Sequence, residues 1–201
     1  MNTPKWRERG RIMTTYKSDR FGDKQLGFAL YLIGELIMFA TLFATYFLFT
    51  PSAINPTPSE TFELRTVVIT SICLLSSSAT IHYAEKAFEK GKEKGVWIGL
   101  ISTLILATAF MGFEIHEFYK YASEGYTLTE NLFLSSFYIL VGLHAAHVLF
   151  GIGWMALLCY HYPRIPNAIY GQKQKIFTYY WHFVDVIWVF IITFVYGPYL
   201  F

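Results

Sequence analysis

One apolar stretch near the C-terminus, WHFVDVIWVF at residues 181–190, decides the class of this protein. The stretch is apolar enough for a membrane-spanning helix, yet it carries an imidazole at His182 and a carboxylate at Asp185. An ionised carboxylate at bilayer depth costs roughly 2.5–3.5 kcal/mol on insertion scales. Because a chain keeps such a group only where other protein groups satisfy it, the stretch predicts a buried polar site inside a helix bundle.

The composition places the whole chain in the membrane class. Of its 201 residues, 54% are hydrophobic and 15% are charged, whereas soluble domains carry about 25% charged residues. The net charge of +2 gives no indication of a nucleic-acid partner. Cys73 and Cys159 have neither metal nor redox spacing, so we expect inert thiols.

Five segments are long enough to cross a bilayer, and their connections are short. They are Leu26–Phe49, Leu64–Tyr83, Val96–Phe118, Leu132–Cys159 and Ile176–Phe201. The sequence therefore predicts an all-α membrane protein, in which residues 26–201 form a bundle of five transmembrane helices. Residues 1–25 are polar and basic, and we expect them to form a cytoplasmic N-terminal segment.

The basic residues predict the orientation of the five spans. Seven precede the first span, four lie in the second loop and three in the fourth. Apart from Arg65, the only basic residue on the other side is Lys120. We therefore expect a cytoplasmic N-terminus and a C-terminus outside.

Five polar residues fall in the inner half of the predicted spans and could converge there. They are Glu35, His144, His147, His182 and Asp185. Their spacing leaves three interpretations open: a structural hydrogen-bond network, a proton relay, and a haem or metal site. Glu114 and Glu117, at the outer end of the third span, are more typical of rim residues near headgroups than of an ion site.

Four motifs, in this order, resemble those of subunit III of the haem–copper oxidases. They are Gly34-Glu35 followed by Phe39, Phe43 and Ala44; the block of Gly112, Glu114, Glu117 and Phe118; the run GLHAAHV at residues 142–148; and the stretch at residues 181–190. The resemblance covers about residues 25–201 and is closest to the short, five-span bacterial form. Leu143 and Ala145 depart from it, since bacterial relatives often have Thr and Gly there.

The resemblance implies a non-redox accessory subunit, with haem and copper held in partner subunits. The complex would oxidise cytochrome c, which we favour as the donor, or quinol, reduce dioxygen to water and pump protons. This chain would pack on subunit I, beside subunit II and a small subunit IV, in the bacterial cell membrane. It would bind phospholipid, and it would support proton uptake and stability during turnover.

The resemblance also suggests roles for single residues, none of them catalytic and none a metal ligand. Glu35 corresponds to the family's carbodiimide-reactive glutamate, and the other four polar residues would shape the same interior. Their first expected role is structural or lipid-related, and the second is proton-related. The candidates for lipid contacts are Arg65, Glu35, His182, Trp181 and Trp188.

Two alternatives come from other classes of protein. An autonomous membrane haem protein would use His144 or His147 with His182 as axial ligands. A small transporter would use Glu35 and Asp185 as a proton site, although the chain lacks the inverted repeat common in such folds. A quinol oxidase subunit III would be a variant of the leading hypothesis.

Overall fold

The computed structural model describes the backbone of residues 5–50, 64–129 and 131–200, and the side chains of residues 22–50, 65–129 and 131–198. These residues form helices and no strands. The elements are α1 (Lys5–Phe49), α2 (Leu64–Glu89), α3 (Glu93–Ser123), α4 (Leu132–His161), α5 (Asn167–Ile191), a π-helical turn (Ile192–Tyr196) and α6 (Gly197–Leu200). Within them, five helices are long and apolar enough to cross a membrane, which confirms the predicted fold class. The orientation stays a prediction.

The chain divides into two compact units, Met1–Ile37 and Met38–Phe201. The first unit contains the N-terminal part of α1, with Glu35. The second unit contains the rest of α1 and all later helices. Its core is dominated by aromatic side chains, among which Trp181 and Trp188 are the largest that are fully buried.

Helices α2 and α3 make the closest helix–helix contact of the second unit because two glycines line their interface. A Cβ atom on Gly99 would lie 2.6 Å from the Cβ of Ala84 and 2.8 Å from the carbonyl oxygen of Thr80. A Cβ on Gly95 would lie 2.8 Å from the Cβ of Ala87. Small residues four apart let membrane helices approach to backbone contact. The α2–α3 hairpin therefore forms a rigid platform for the polar side chains of α2.

The last long helix differs from the prediction at both ends. It begins at Asn167 rather than Ile176, because Tyr170 and Gln174 are buried and extend the packed face beyond the apolar window. Near its C-terminus it widens into the π-helical turn before Pro198. Proline cannot donate a backbone hydrogen bond to the preceding turn, which favours such a local widening.

The two ends of the second unit differ in charge. The α2–α3 and α4–α5 connections meet at one end, where the ring centroids of Trp97 and Tyr162 are 5.6 Å apart. We call this the basic end, after Lys86, Lys90, Lys92 and Lys94. The α3–α4 connection at residues 124–131 marks the opposite end.

Candidate functional site

Ser78, His182 and Asp185 form a polar cluster between α2 and α5, which we call the α2–α5 cluster. The Ser78 hydroxyl donates a hydrogen bond to Oδ2 of Asp185, and its oxygen lies 2.8 Å from Nδ1 of His182. The same His182 nitrogen lies 3.9 Å from Oδ2 of Asp185. The predicted i, i+3 pairing of His182 and Asp185 on one helix face is therefore present, with a serine bridging them.

The hydrogen-bonding capacity of Ser78 determines the direction of the bonds in this cluster. A hydroxyl has one proton to donate, and Ser78 donates it to Asp185. The contact with His182 must then run the other way, from Nδ1–H to the serine oxygen. The chain of donors therefore runs from His182 through Ser78 to Asp185 and ends on a carboxylate.

The α2–α5 cluster is buried at one end and accessible at the other. The Asp185 side chain is 7% exposed, whereas that of His182 is 44% exposed. In the described part of the chain, the second carboxylate oxygen of Asp185, Oδ1, has no hydrogen-bond partner. The cluster therefore connects the partly exposed imidazole of His182 with the buried carboxylate of Asp185, whose Oδ1 can accept a further hydrogen bond.

Two indoles on α5 bond to serines of α2 on either side of the cluster. Nε1 of Trp181 donates to the hydroxyl of Ser77 at 2.9 Å, and Nε1 of Trp188 donates to that of Ser71 at 3.3 Å. Both indole rings are fully buried. Neither ring presents a surface to lipid in this structure, although the sequence marked both as candidates for lipid contacts.

His144 lies in the aromatic core of the second unit. Its ring stacks on that of Trp188 with centroids 5.2 Å apart, and it meets Phe110 edge-on at 6.0 Å. Among the described residues, neither ring nitrogen has a hydrogen-bond partner. His144 therefore does not join the hydrogen bonds of the α2–α5 cluster.

His147 occupies a separate, partly exposed position on α4. Its Nδ1 donates to the carbonyl oxygen of Leu143 at 2.9 Å, and its ring centroid lies 5.2 Å from that of Phe39. Its backbone carbonyl accepts a hydrogen bond from Tyr180. One turn of α4 thus separates two different histidine environments, one buried among aromatic rings and one at the surface of the core.

Glu35 belongs to the first structural unit and is partly buried there. The hydroxyl of Tyr31, one turn earlier on α1, hydrogen-bonds to its carboxyl group. The convergence of Glu35 with the polar residues of the later helices stays a prediction.

The side chains of Glu114 and Glu117 are buried inside the second unit, so the expectation of rim residues was wrong for Glu114, while Glu117 lines a pocket at the end of the spanning helices. Their exposed fractions are 1% and 5%. The Tyr121 hydroxyl donates to Glu117, and Tyr196 from the π-helical turn lies within electrostatic reach of both carboxyl groups. The sequence pattern of α3 alone does not reveal this interaction.

Arg65 lines a pocket of about 430 Å³ at the opposite end, together with His116, Lys120 and Glu117. The Arg65 side chain is exposed. Three side chains that can carry positive charge thus surround one cavity at the end of the spanning helices, a position where lipid headgroups lie.

The serines of α2 were not among the predicted site residues. Ser71, Ser77 and Ser78 supply every hydrogen bond between α2 and the side chains of Trp181, His182, Asp185 and Trp188 in the described chain. The signal was present as seven-residue spacing between Ser71 and Ser78, which returns to one helix face after two turns. The sequence could not show which helix that face meets.

No group of three or more His, Cys, Asp or Glu residues in the described ranges is arranged to hold a metal ion. Two such side chains, His182 and Asp185, do converge and are both bonded to the hydroxyl of Ser78. This arrangement can hold and pass protons and can fix the register of two helices.

Comparisons with known proteins agree with the motifs. A family model described as cytochrome c oxidase subunit III matches residues 20–198. Cytochrome c oxidase subunit 3 of Bacillus subtilis (strain 168) is 43% identical over 180 residues, which cover 87% of this chain and 86% of that protein. Quinol oxidase subunit 3 of the same organism is 40% identical over 183 residues, covering 90% of each chain.

The five apolar helices and the bacterial relatives together define a multi-pass bacterial membrane protein. More specifically, the chain belongs to the cytochrome c oxidase subunit III family and is subunit III of a haem–copper oxidase.

Proposed function

We propose that this chain is the non-redox accessory subunit of a proton-pumping terminal oxidase that reduces dioxygen to water. It packs on subunit I, with subunit II and a small subunit IV in the same complex. The family match over residues 20–198 supports this assignment. Haem and copper are held by the partner subunits. This chain supports proton uptake and stabilises the complex during turnover.

The α2–α5 cluster is the observation that carries the proposed role. A carboxylate in a membrane helix is costly, and it is kept where it serves a structural or proton-transfer function. Asp185 is bonded to Ser78, while the exposed edge of His182 gives the cluster access to its surroundings. We assign the cluster first to holding α2 against α5 during turnover, and second to exchanging protons through His182.

Glu35 has a related role in the proposal. Glu35 is a carboxyl group within a membrane span, and we assign it a proton-related role in the complex. His144 and His147 contribute to the interior of the second unit, and His144 does so through ring packing rather than hydrogen bonds.

The pocket around Arg65 supports phospholipid binding at the opposite end. Arg65, His116 and Lys120 line it, and a phosphate group is the anion that a membrane surface offers to such a site. His182 is a second candidate for lipid contact, because its side chain is half-exposed. A lipid there would contact the α2–α5 cluster.

Cytochrome c is the donor that we favour over quinol. Relatives of both kinds match this chain at similar identity, 43% and 40%. The donor site belongs to other subunits, so the assignment depends on the intact complex.

The proposed orientation rests on the charges of the loops. Lys86, Lys90, Lys92 and Lys94 favour a cytoplasmic basic end, and we propose that the chain lies in the bacterial plasma membrane with its C-terminus outside. Single cysteines at Lys90 and at Thr127, in a chain with Cys73 and Cys159 replaced by serine, test this. An impermeant maleimide added to intact cells should label position 127 alone, and labelling of position 90 alone would reverse the topology.

The experiment that tests the function is purification of the tagged chain from its native membrane in mild detergent, with an absorption spectrum and metal analysis. Haem and copper that arrive with larger subunits, and leave when those subunits are stripped away, would support an accessory subunit. Oxidation of cytochrome c or of quinol by the preparation would name the donor. Haem retained by the isolated chain would contradict the proposal.

Glu35→Gln tests the proton-related part. We expect normal haem content and a shorter turnover lifetime or altered proton pumping, because the amide cannot accept and release a proton. Glu85→Gln, at the basic end, is the matched control. Unchanged pumping together with an unchanged lifetime would remove Glu35 from any functional role.

A further inference from the structure

A cavity of about 680 Å³ opens at the basic end, between the α2–α3 and α4–α5 connections. It shares no lining residue with the pocket around Arg65 and none with the α2–α5 cluster. Its walls include three aromatic rings and two carboxylates. The rings belong to Phe88, Trp97 and Tyr162, and the carboxylates to Glu89 and Glu93.

The aromatic rings that line the cavity pack edge to face against one another. The planes of Trp97 and Tyr162 are inclined at 84° with centroids 5.6 Å apart. Phe88 and Tyr162 are inclined at 68° at 6.4 Å. Aromatic faces arranged around a concave space attract organic cations, because each ring carries negative potential over its face.

The two carboxylates add charge to this cavity. Within the described chain, neither Glu89 nor Glu93 forms an ion pair within 4 Å, although the basic end carries several lysines. The Arg164 guanidinium is engaged elsewhere, since it lies 3.9 Å from the ring centroid of Tyr160. The cavity therefore carries two carboxylates that no cation of the described side chains pairs with within 4 Å.

Tyr162 remains a neutral phenol beside these carboxylates. Burial, and then the charge of Glu93, raise the pKa of the Tyr162 hydroxyl. The ring can therefore offer its face and a neutral hydroxyl to a ligand, while the negative charge stays on the glutamates.

We propose that this cavity binds an organic ammonium group. The same chemistry is presented by the ethanolamine or choline headgroup of a phospholipid and by a small free amine. Lys90 and Lys92, which adjoin the lining residue Gly91 in the chain and are exposed, offer positive charge to the phosphate of a zwitterionic headgroup. This binding is independent of the oxidase assignment, since it depends only on residues of this chain.

The test uses the native complex that contains the full chain, reconstituted in nanodiscs of phosphatidylethanolamine or of phosphatidylglycerol. Native mass spectrometry measures lipid retained by the complex, and calorimetric titration with tetramethylammonium or ethanolamine measures binding of free amines. The variants are the Glu89→Gln/Glu93→Gln double mutant and Trp97→Leu. Glu85→Gln, at the same end but outside the cavity, is the matched control.

We expect the complex to retain phosphatidylethanolamine in preference to phosphatidylglycerol, and each cavity variant to weaken this binding by about tenfold. Binding of the free amines, lost in the same variants, would support the cavity and assign it to a soluble ligand. Absence of both kinds of binding, or binding that the cavity variants leave unchanged, would overturn the proposal. A normal helical circular dichroism spectrum and a normal subunit content show that the variants fold and assemble.

Discussion

The hydroxyl of Ser78 on α2 donates a hydrogen bond to the carboxylate of Asp185 on α5, 107 residues further along the chain. Apolar side chains cannot by themselves select one partner helix in a membrane, because lipid tails offer an equally apolar environment. Polar bonds and close packing supply that selection. The Ser78–Asp185 bond therefore helps to fix which face of α5 meets α2. It also stabilises a carboxylate at a depth where contact with lipid would be unfavourable.

Ser78→Ala should destabilise the chain more than any change at its neighbour Ser76. The alanine removes the donor to Asp185 and the acceptor for His182, and leaves the buried carboxylate with His182 at 3.9 Å as its remaining polar neighbour. We expect a loss of about 1–3 kcal/mol, measured by thermal or denaturant unfolding in detergent. Ser76 is exposed, so Ser76→Ala is the control. Equal unfolding of the two variants would show that the bond contributes nothing.

Asp185→Asn should separate structure from proton exchange. The amide keeps the volume of the carboxyl group and can still accept from Ser78, so the haem content of the complex should stay normal. Because an amide does not exchange its proton, we expect the number of turnovers before inactivation to fall. Glu124→Gln, exposed at the opposite end, is the control. A normal turnover lifetime would restrict Asp185 to a structural role.

Gly99→Ala should weaken the α2–α3 contact. The added Cβ would lie 2.6 Å from Ala84 and 2.8 Å from the Thr80 carbonyl, so the helices must move apart. We expect a cost of about 1–3 kcal/mol, measured by unfolding. At Gly153 a Cβ meets nothing within 4 Å, so Gly153→Ala should be neutral or stabilising by up to about 1 kcal/mol. The prediction fails if both substitutions behave alike.

His144→Phe should preserve or increase stability. The imidazole is 1% exposed and stacks on Trp188, and in the described chain neither ring nitrogen forms a hydrogen bond. A phenyl ring can occupy the same space between the aromatic rings. It carries no polar group that must be desolvated. His144→Ala should instead cost about 2–5 kcal/mol, because it leaves a cavity. Unfolding measurements compare the two. If phenylalanine proves as harmful as alanine, the imidazole nitrogens carry a function that packing does not explain.

The sequence predicted the membrane-spanning helices well because the formation of each helix depends on local properties of the chain. Five runs of apolar residues of bilayer length gave five helices in the described chain. Spacing also placed His182 and Asp185 on one face of α5, and the structure has them 3.9 Å apart. Helical periodicity acts over a few residues, so a single segment contains the information.

Contacts between helices were harder to predict, because each contact depends on how the two helices are rotated about their axes and shifted along them. The sequence did not show which helix the serines of α2 would meet, yet they bond to Asp185 and Trp181 of α5. The burial of Glu114 is likewise a property of the packed helices, which the sequence of α3 alone does not show.

The sequence alone determined that this chain is helical, that it spans a membrane, and that its motifs belong to oxidase subunit III. Hydropathy and motif order are properties of the chain itself, independent of how the helices pack. Only the tertiary structure decided that Asp185 is bonded to Ser78 while His144 is enclosed by aromatic rings. Those environments are set by which helix faces meet, and that choice comes from the combined packing of residues that are distant in sequence.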